Sequence, residues 1–307
     1  MESLVDPFGR RVTSLRVSVT QRCNLACFFC HREGEHDPSG EMTPEEIGSL
    51  VEVASELGVT KVKVTGGEPL MRRDIVDVTR LLSAHMREVS MTTNAILLPE
   101  KARPLRDAGL SRVNISLHSL KRESVERIAG VDCLEKVRAG IEAADEAGLK
   151  PIKLNFVVMK GLNSDEIPEM LRLSADTGAI LQLIEYQRLE RGVERWGDLY
   201  YDLTPLERMW DVEAVKIVEQ EMHRRKRYTL ADGATVEIVR PIHNTVFCNN
   251  CNRLRLASDG RLKPCLMRSD NLVPAVQLLR MGASKEKLVG AFRRATSLRA
   301  PYWREGN

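Results

Sequence analysis

Apolar residues in the first 190 positions follow two different periods in turn. Leu15, Val17 and Val19 alternate with polar residues, which predicts a strand. The next apolar residues, between 47 and 57, recur at helical spacing behind a capping sequence at 43–46. This unit of a strand followed by a helix repeats along the chain. It predicts six strands, at 15–19, 60–65, 88–91, 111–117, 151–158 and 179–186.

Six strands that alternate with helices place the chain in the α/β class. The expected architecture is a parallel sheet curved into a partial (β/α)6 barrel of the TIM type. The polar motifs of this region follow the predicted strands directly, at their carboxyl ends. Barrels of this type place their sites at that end of the sheet, so we expect the motifs to meet in one site.

The composition changes after position 190. Residues 190–201 are charged and aromatic and are typical of a loop, and they precede a predicted helix at 204–210 and strands at 214–218, 227–230 and 235–239. A turn at Asp259-Gly260 predicts a further hairpin, and the C-terminal stretch has helical packing. The sequence thus predicts a barrel domain at 1–190 and an α+β extension at 191–307. The basic run at 223–227 is interpreted as a solvated face.

Composition and charge narrow the functional classes. The 307 residues carry a net charge of +3, so no field of the whole protein draws it to nucleic acid or membrane. We find no apolar run of membrane-spanning length and no signal peptide, and we expect a cytoplasmic protein. Six of the seven cysteines fall into two triplets and leave Cys133, which is interpreted as a small buried residue. This pattern indicates metal binding in a reducing compartment.

The first triplet, Cys23, Cys27 and Cys30, follows the first strand with CxxxCxxC spacing. Three thiolates at this spacing can hold three irons of a [4Fe–4S] cluster and leave the fourth iron open for a cofactor. The alternative is a zinc site, for which only His31 or His36 is near enough in sequence to be the fourth ligand. Spacing and context favour the cluster.

The second triplet consists of Cys248, Cys251 and Cys265. Here His243 could complete a zinc site with three cysteines. Arg253 and Arg255, however, follow at a spacing of two and therefore share one side of a strand beside the metal. Paired arginines suit bidentate recognition of phosphate or carboxylate, which a structural zinc site does not require. The sequence therefore favours a second open iron–sulfur cluster.

Three features of the predicted barrel have both a structural and a functional interpretation. Arg16 lies on the polar face of the first strand, where it is either solvated or directed at a ligand. Lys61 and Lys63 share one face of the second strand and need an anion if that face points inward. Gly66-Gly67 after this strand allows close approach of a ligand whose ammonium and carboxylate groups meet the main chain.

The cysteine motif at 23–30, together with Gly66-Gly67-Glu68-Pro69, resembles the radical S-adenosylmethionine (SAM) superfamily. The resemblance implies that SAM binds the open iron and is cleaved to a 5′-deoxyadenosyl radical. The second triplet with its Arg-Leu-Arg sequence is further similar to one family within it, the GTP 3′,8-cyclases of molybdenum cofactor biosynthesis. In that family, the radical removes the 3′ hydrogen of GTP ribose and C3′ adds to guanine C8, which gives 3′,8-cyclo-7,8-dihydro-GTP.

The resemblance assigns roles residue by residue. It implies two [4Fe–4S] clusters, one on Cys23, Cys27 and Cys30 and one on Cys248, Cys251 and Cys265. The catalytic residues that it implies are Cys23, Cys27, Cys30, Arg253 and Arg255. For SAM it implies contacts from Phe29, Gly67, Ser116 and Gln187. For GTP it implies contacts from Arg16, Lys63, Thr92, Lys153, Arg253 and Arg255. The expected partners are GTP, an electron donor, a downstream pterin-forming enzyme and a second copy of the chain, without membrane or nucleic acid.

The sequence departs from the bacterial pattern of this family at several positions. Gln182 stands where a basic residue is expected, Gln187 replaces a methionine that touches SAM, and His118 replaces an acidic residue. The chain also ends at 304–307 without paired terminal glycines. Two alternative functions remain: a radical SAM peptide-modifying maturase, and a non-catalytic zinc protein that binds nucleic acid.

Overall fold

A single twelve-stranded sheet runs through the protein, as a computed structural model of residues 3–34 and 40–304 shows. Six parallel strands form its centre: β1 (Ser14–Ser18), β2 (Lys61–Thr65), β3 (Glu88–Thr93), β4 (Arg112–Ser116), β5 (Lys153–Val158) and β6 (Ile180–Glu185). The helices between them are α1 (Pro44–Glu56), α2 (Ile75–His85), α3 (Leu98–Asp107), α4 (Arg122–Ala129), α5 (Leu134–Glu146) and α6 (Ile167–Thr177). The predicted α/β class, with a parallel sheet of six strands that alternate with helices, is confirmed.

Local sequence explains how these units begin and which face they bury. At the start of α1, the Thr43 hydroxyl accepts a hydrogen bond from the Glu46 amide, and the Glu46 carboxylate accepts one from the Thr43 amide. On β2, Val62 and Val64 are buried in the apolar core, whereas Lys63 points to the opposite face. The polar residue of the alternating pattern, Lys63, therefore lies on the face of the sheet opposite to the apolar core.

The extension adds strands to both ends of the central sheet. Its elements are α7 (Trp196–Leu199), α8 (Thr204–Glu213), β7 (Lys216–Glu219), β8 (Lys226–Thr229), β9 (Thr235–Val239), α9 (Thr245–Asn249), β10 (Arg253–Leu256), β11 (Arg261–Lys263), β12 (Val273–Pro274), α10 (Val276–Arg280) and α11 (Lys285–Ser297). β10 pairs parallel to β1, and β9 pairs parallel to β6. Strands from before and after position 190 are thus hydrogen-bonded in one sheet. The division into two domains stays a prediction.

Most predicted elements of the extension lie close to the observed ones. The strand predicted at 235–239 is β9, and β10 and β11 form the hairpin predicted at Asp259-Gly260. The segment predicted as a loop at 190–201 contains the short helix α7, and α4 was not predicted at all. In the described part of the chain, no helix is long and apolar enough to cross a membrane.

Candidate active site

A cavity of about 1140 Å³ runs along the inner face of the parallel strands, from residues before them, such as Thr60 and Arg87, to the motifs at their carboxyl ends. Every site residue that the sequence predicts lines this cavity: Arg16, Cys23, Cys27, Phe29, Cys30, Lys63, Gly67, Thr92, Ser116, Lys153, Gln187, Cys248, Cys251, Arg253, Arg255 and Cys265. His31 and His243 line it as well, whereas His36 lies outside the described residues. The two cysteine triplets, far apart in sequence, therefore share one chamber.

The first cysteine loop is fixed by the helix that the sequence did not predict. The amide of Ala26 donates to the Ala129 carbonyl at the end of α4 (2.9 Å), and the amide of Phe28 donates to the Ile128 carbonyl (3.3 Å). All three cysteines are free thiols. Burial raises the pKa of each, that of Cys27 to about 12, so a bound cation is needed to keep these thiols deprotonated at neutral pH.

The Gly66-Gly67 loop lies directly against the cysteine loop. Added Cβ atoms would overlap the Thr20 carbonyl at Gly66 and the Gln21 carbonyl (2.6 Å) at Gly67. The Gly67 amide donates to the Thr20 carbonyl at 2.7 Å. Only glycine allows this close approach of the two loops.

Glu68, which follows these glycines, was not among the predicted site residues. Its buried carboxylate accepts hydrogen bonds from the amides of Leu70 and Asn94 and from the Thr93 hydroxyl. Burial nevertheless raises the pKa of Glu68 to about 7. A cationic group of a ligand at this edge of the cavity would favour the charged carboxylate.

An aromatic wall borders the first cysteine loop. The rings of Phe29 and His118 meet edge to face at 4.8 Å between centres, and those of Phe29 and Tyr186 lie 6.5 Å apart. The Val157 amide donates to Nδ1 of His118 (3.1 Å), and burial lowers the pKa of His118 to about 4. A neutral histidine at this position makes the wall suitable for a flat, uncharged group.

The second cysteine triplet is held by arginines from both ends of the chain. Arg10 donates to the Cys248 carbonyl (2.7 Å), and Arg299 donates to the Cys251 carbonyl. Asp6 pairs with both arginines, at 2.8 and 2.9 Å. Burial acts to raise the pKa of Cys251, but the charges of Arg299, Arg253 and Arg10 outweigh it and lower the pKa. This environment favours a thiolate, the form that binds metal.

Glu33 forms ion pairs with Arg16 of β1 and Arg255 of β10. Its carboxylate accepts hydrogen bonds from Arg16 (3.0 Å), from Thr65 (3.1 Å) and from Arg255. Although burial acts against the charged form, Arg16 and Arg255 hold the pKa of Glu33 far below its ordinary value. Two of the three arginines predicted to bind GTP, Arg16 and Arg255, therefore already hold one internal carboxylate.

A further buried carboxylate belongs to Glu237, whose partners Lys153 and Gln182 line the cavity. Glu237 on β9 accepts two 2.8 Å hydrogen bonds from Lys153 and one from Gln182. Burial acts to raise the pKa of Glu237, but Lys153 and two arginines lower it to about 2, while burial lowers the pKa of Lys153 to about 8. Gln182, which stands where a basic residue was expected, thus donates a hydrogen bond to Glu237.

Two cations that line the cavity, Lys63 and Arg253, have no acidic partner among the described residues. Nζ of Lys63 donates to Asn114 (2.9 Å), and Arg253 donates to the sulfur of Met222 while its Nε is buried without a partner. Burial and neighbouring positive charges lower the pKa of both. Their charges would be stabilised by an anion in the cavity.

The donor sets fit iron–sulfur clusters by their chemistry. Each is a triplet of free thiols. In the first triplet, backbone amides approach the sulfur atoms: the Leu25 amide lies 3.4 Å from Cys23 Sγ, and the Arg32 amide lies 3.4 Å from Cys30 Sγ. In the second, Cys248 lies in α9 and Cys265 follows β11. Three thiolates leave one iron of a cubane without a protein ligand. In the described ranges, no three His, Cys, Asp or Glu side chains are gathered around a point where a single metal ion would bind.

Comparison with known proteins decides the family. Residues 17–174 match the Radical SAM superfamily, and residues 179–305 match Molybdenum Cofactor Synthesis C. A relative from Thermococcus kodakarensis named probable GTP 3′,8-cyclase is 50% identical over 98% of this chain and 100% of its own length. This chain belongs to the GTP 3′,8-cyclase family. A second relative of that name, from Pyrococcus horikoshii, is 49% identical and covers 98% of both chains.

Solved radical SAM structures share the fold with this member of the GTP 3′,8-cyclase family. Streptococcus suis SuiB bound to S-adenosylmethionine has a TM-score of 0.65 at 17% identity, and covers 92% of this chain and 68% of its own. Native anSMEcpe with bound AdoMet has a TM-score of 0.59 at 18% identity, over 89% and 81%. Superfamily membership makes the chain an enzyme whose cofactors are SAM and a [4Fe–4S] cluster.

Proposed function

We propose that this protein is a GTP 3′,8-cyclase, which forms 3′,8-cyclo-7,8-dihydro-GTP from GTP in the first step of molybdenum cofactor biosynthesis. Family membership over the full chain supports this function. The structural observation that carries it is the shared chamber, which is lined by both cysteine triplets and by Lys63 and Arg253, two buried cations with no acidic partner in the described part of the chain. The two alternative functions, a peptide-modifying maturase and a non-catalytic zinc protein, do not explain why these cations are buried in the chamber.

The cofactors supply the radical chemistry, and the residues supply position and charge. When bound, the cluster on Cys23, Cys27 and Cys30 and its SAM would provide the 5′-deoxyadenosyl radical that abstracts the ribose 3′ hydrogen. Phe29, Gly67, Ser116 and Gln187 are the proposed SAM contacts. The close fit of the two loops at 20–23 and 66–68 keeps this end of the chamber rigid.

The cationic side chains would hold the triphosphate of GTP. The proposed contacts are Arg16, Lys63, Thr92, Lys153, Arg253 and Arg255. Ring closure requires C3′ and C8 of one GTP to approach each other, so the nucleotide must be fixed at both ends. Hydrogen bonds between a cation and phosphate contribute about 1.5–3 kcal/mol each and anchor one of those ends.

The second triplet would bind a further [4Fe–4S] cluster, with an open iron for the guanine. Its support is the donor set of three free thiols and the arginines that stabilise the Cys251 thiolate. The partners proposed with this function are an electron donor, a pterin-forming enzyme that takes the product, and a second copy of the chain, in the cytoplasm.

The substrate is tested by anaerobic turnover with GTP, SAM and dithionite. Wild-type protein should form 5′-deoxyadenosine and cyclised GTP, and Arg253→Ala or Arg255→Ala should lower kcat/KM for GTP tenfold or more. Arg261→Ala is the matched control, because Arg261 on the neighbouring strand is partly exposed and pairs with Asp259. Cleavage of SAM without consumption of GTP by the wild type would refute the proposal.

The second cluster is tested separately by replacing Cys248, Cys251 and Cys265 with alanine. Two cubanes correspond to about eight iron atoms per chain, and the triple variant should retain about four. Electron paramagnetic resonance should show a GTP-sensitive signal in the wild type that the triple variant lacks. An unchanged iron content would remove the second cluster from the proposal.

A further inference from the structure

Arg225 precedes β8 and directs its side chain into the shared chamber. The side chain is only 17% exposed. Its Nε is buried without a hydrogen-bond partner among the described residues. The nearest carboxylate oxygen, on Glu237, lies 3.8 Å from Nη1, which is too long for a hydrogen bond. A buried guanidinium in this condition has unused donors.

Glu237 is already bonded to other groups. Lys153 donates to both of its oxygens, and Arg227 donates to Oε1 through Nε at 2.8 Å. Gln182 donates to the remaining oxygen. One negative charge thus faces two directly bonded cations before Arg225 is counted. The positive charge of Arg225 therefore remains available to an anion in the chamber.

The neighbours of Arg225 in the basic run differ from it. Arg224 is exposed and pairs with Glu219 at 2.6 Å, and Lys226 pairs with Asp211 at 2.7 Å. His223 is buried and stacks on Phe247 at 3.7 Å between ring centres. The sequence interpretation of a solvated face is therefore wrong for His223 and Arg225 and correct for Arg224.

The segment that carries Arg225 links β8 to the opposite end of the sheet. The amide of His223 donates to the Asn250 carbonyl (2.8 Å), which ties the segment before β8 to the loop of the second cysteine triplet. The charge of Arg225 is accordingly among those that lower the pKa of Arg16, a residue of β1. Cations from both ends of the sheet thus face one space.

We propose that Arg225 binds the triphosphate of the nucleotide substrate as a further substrate-binding residue supplied by the extension. This inference rests on the proposed function. With Lys63 on β2 and Arg253 on β10, Arg225 surrounds the phosphates from a third direction. Because one more cation serves phosphate groups that a monophosphate lacks, Arg225 is a determinant of specificity for the triphosphate over the monophosphate.

The test measures binding of GTP and of GMP to the reconstituted holoenzyme by anaerobic equilibrium dialysis. Arg225→Ala should weaken GTP binding at least tenfold and GMP binding less than twofold, so the preference for GTP falls. Arg225→Lys, which keeps the charge without the planar fork, should lie between wild type and Arg225→Ala. Arg224→Ala is the matched control and should behave as the wild type.

The outcomes separate the two proposals. If the wild type binds GTP no better than GMP and does not turn it over, the proposed function is wrong. If the wild type uses GTP but Arg225→Ala keeps its preference for GTP over GMP, only the role of Arg225 is wrong. Should Arg225→Ala lose its clusters or its fold, Arg225→Met, which retains the length of the side chain, is judged by the same ratio.

Discussion

At the scale of single residues, Glu33 lowers the positive charge of the chamber in the absence of a ligand. Its carboxylate neutralises part of Arg16 and Arg255, two residues proposed to bind phosphate. A triphosphate must therefore either displace Glu33 or bind to the donors that Glu33 leaves free. The stability of the empty site and its affinity for anions are thus opposed.

Glu33→Gln should raise the affinity for GTP and lower the stability of the apoprotein. Without the negative charge, GTP should bind several-fold tighter, because Arg16 and Arg255 are less neutralised. The apoprotein should lose about 3–5 kcal/mol in its free energy of unfolding, since two buried arginines lose their partner. Urea denaturation and equilibrium dialysis measure the two effects. Weaker GTP binding by a folded variant would contradict this view of Glu33.

Lys153 should give the use of GTP an alkaline limit. Its pKa is lowered to about 8, mainly by burial, so the ammonium form is lost as the pH rises through that value. We expect kcat/KM for GTP to fall above about pH 8. Lys153→Arg keeps its charge there and should retain activity to higher pH. A pH profile identical in both proteins would show that Lys153 does not bind the phosphates.

Some of the predicted site residues have sequence signals that do not depend on long-range contacts, and the others, such as Thr92 and Ser116, were assigned by the family resemblance. Cysteine spacing marked both triplets, and a spacing of two placed Arg253 and Arg255 on one side of a strand. Glu33 gave no such signal, because an acidic residue in a charged loop is ordinary until the fold buries it. Arg225 was hidden in a run of basic residues whose members have different partners.

At the scale of elements, two glycines inside helices test how closely the helices pack. An added Cβ at Gly140 of α5 would lie 2.8 Å from the Cβ of Ala95 and closer still to its carbonyl oxygen. At Gly290 of α11 it would meet nothing within 4 Å. The same substitution should therefore have opposite effects on stability at these two positions.

Gly140→Ala should lower the free energy of unfolding by about 1–3 kcal/mol, because the backbone of Ala95 has to move. Gly290→Ala should raise it by about 0.5–1 kcal/mol, since alanine restricts the unfolded chain and favours helix. Urea denaturation of the two apoproteins measures both. Equal effects would mean that α5 does not pack closely on the Ala95 turn.

Periodicity identified the elements better than it identified their partners. The first five central strands were predicted because apolar and polar residues alternate along them, and β6 because a short apolar run follows α6. The helix α4 was missed because it is short and buries only Val125, Ile128 and Ala129 among charged residues. The pairing of β10 with β1 could not be predicted, because no local pattern states which strand lies beside another.

At the scale of the whole molecule, the extension completes the sheet rather than standing beside it. β9 and β10 cover the edges of β6 and β1. A chain of residues 1–190 would expose both edges and the apolar surface beneath them, and exposed edges pair with other chains. We expect this truncated protein to aggregate when the full chain, expressed in parallel, stays monodisperse in size-exclusion chromatography. A soluble, folded 1–190 fragment would instead support two independent domains.

The pairing of β10 with β1 also orders events in time. A ribosome delivers β1 early, but β1 has to wait for its neighbour until residues 253–256 have been synthesised. The chamber has no complete wall before then, and Arg16 lacks Arg255 beside it. Loading of cofactors and nucleotide is therefore expected to follow release of the nearly complete chain, and a nascent chain stalled before position 253 should retain no nucleotide.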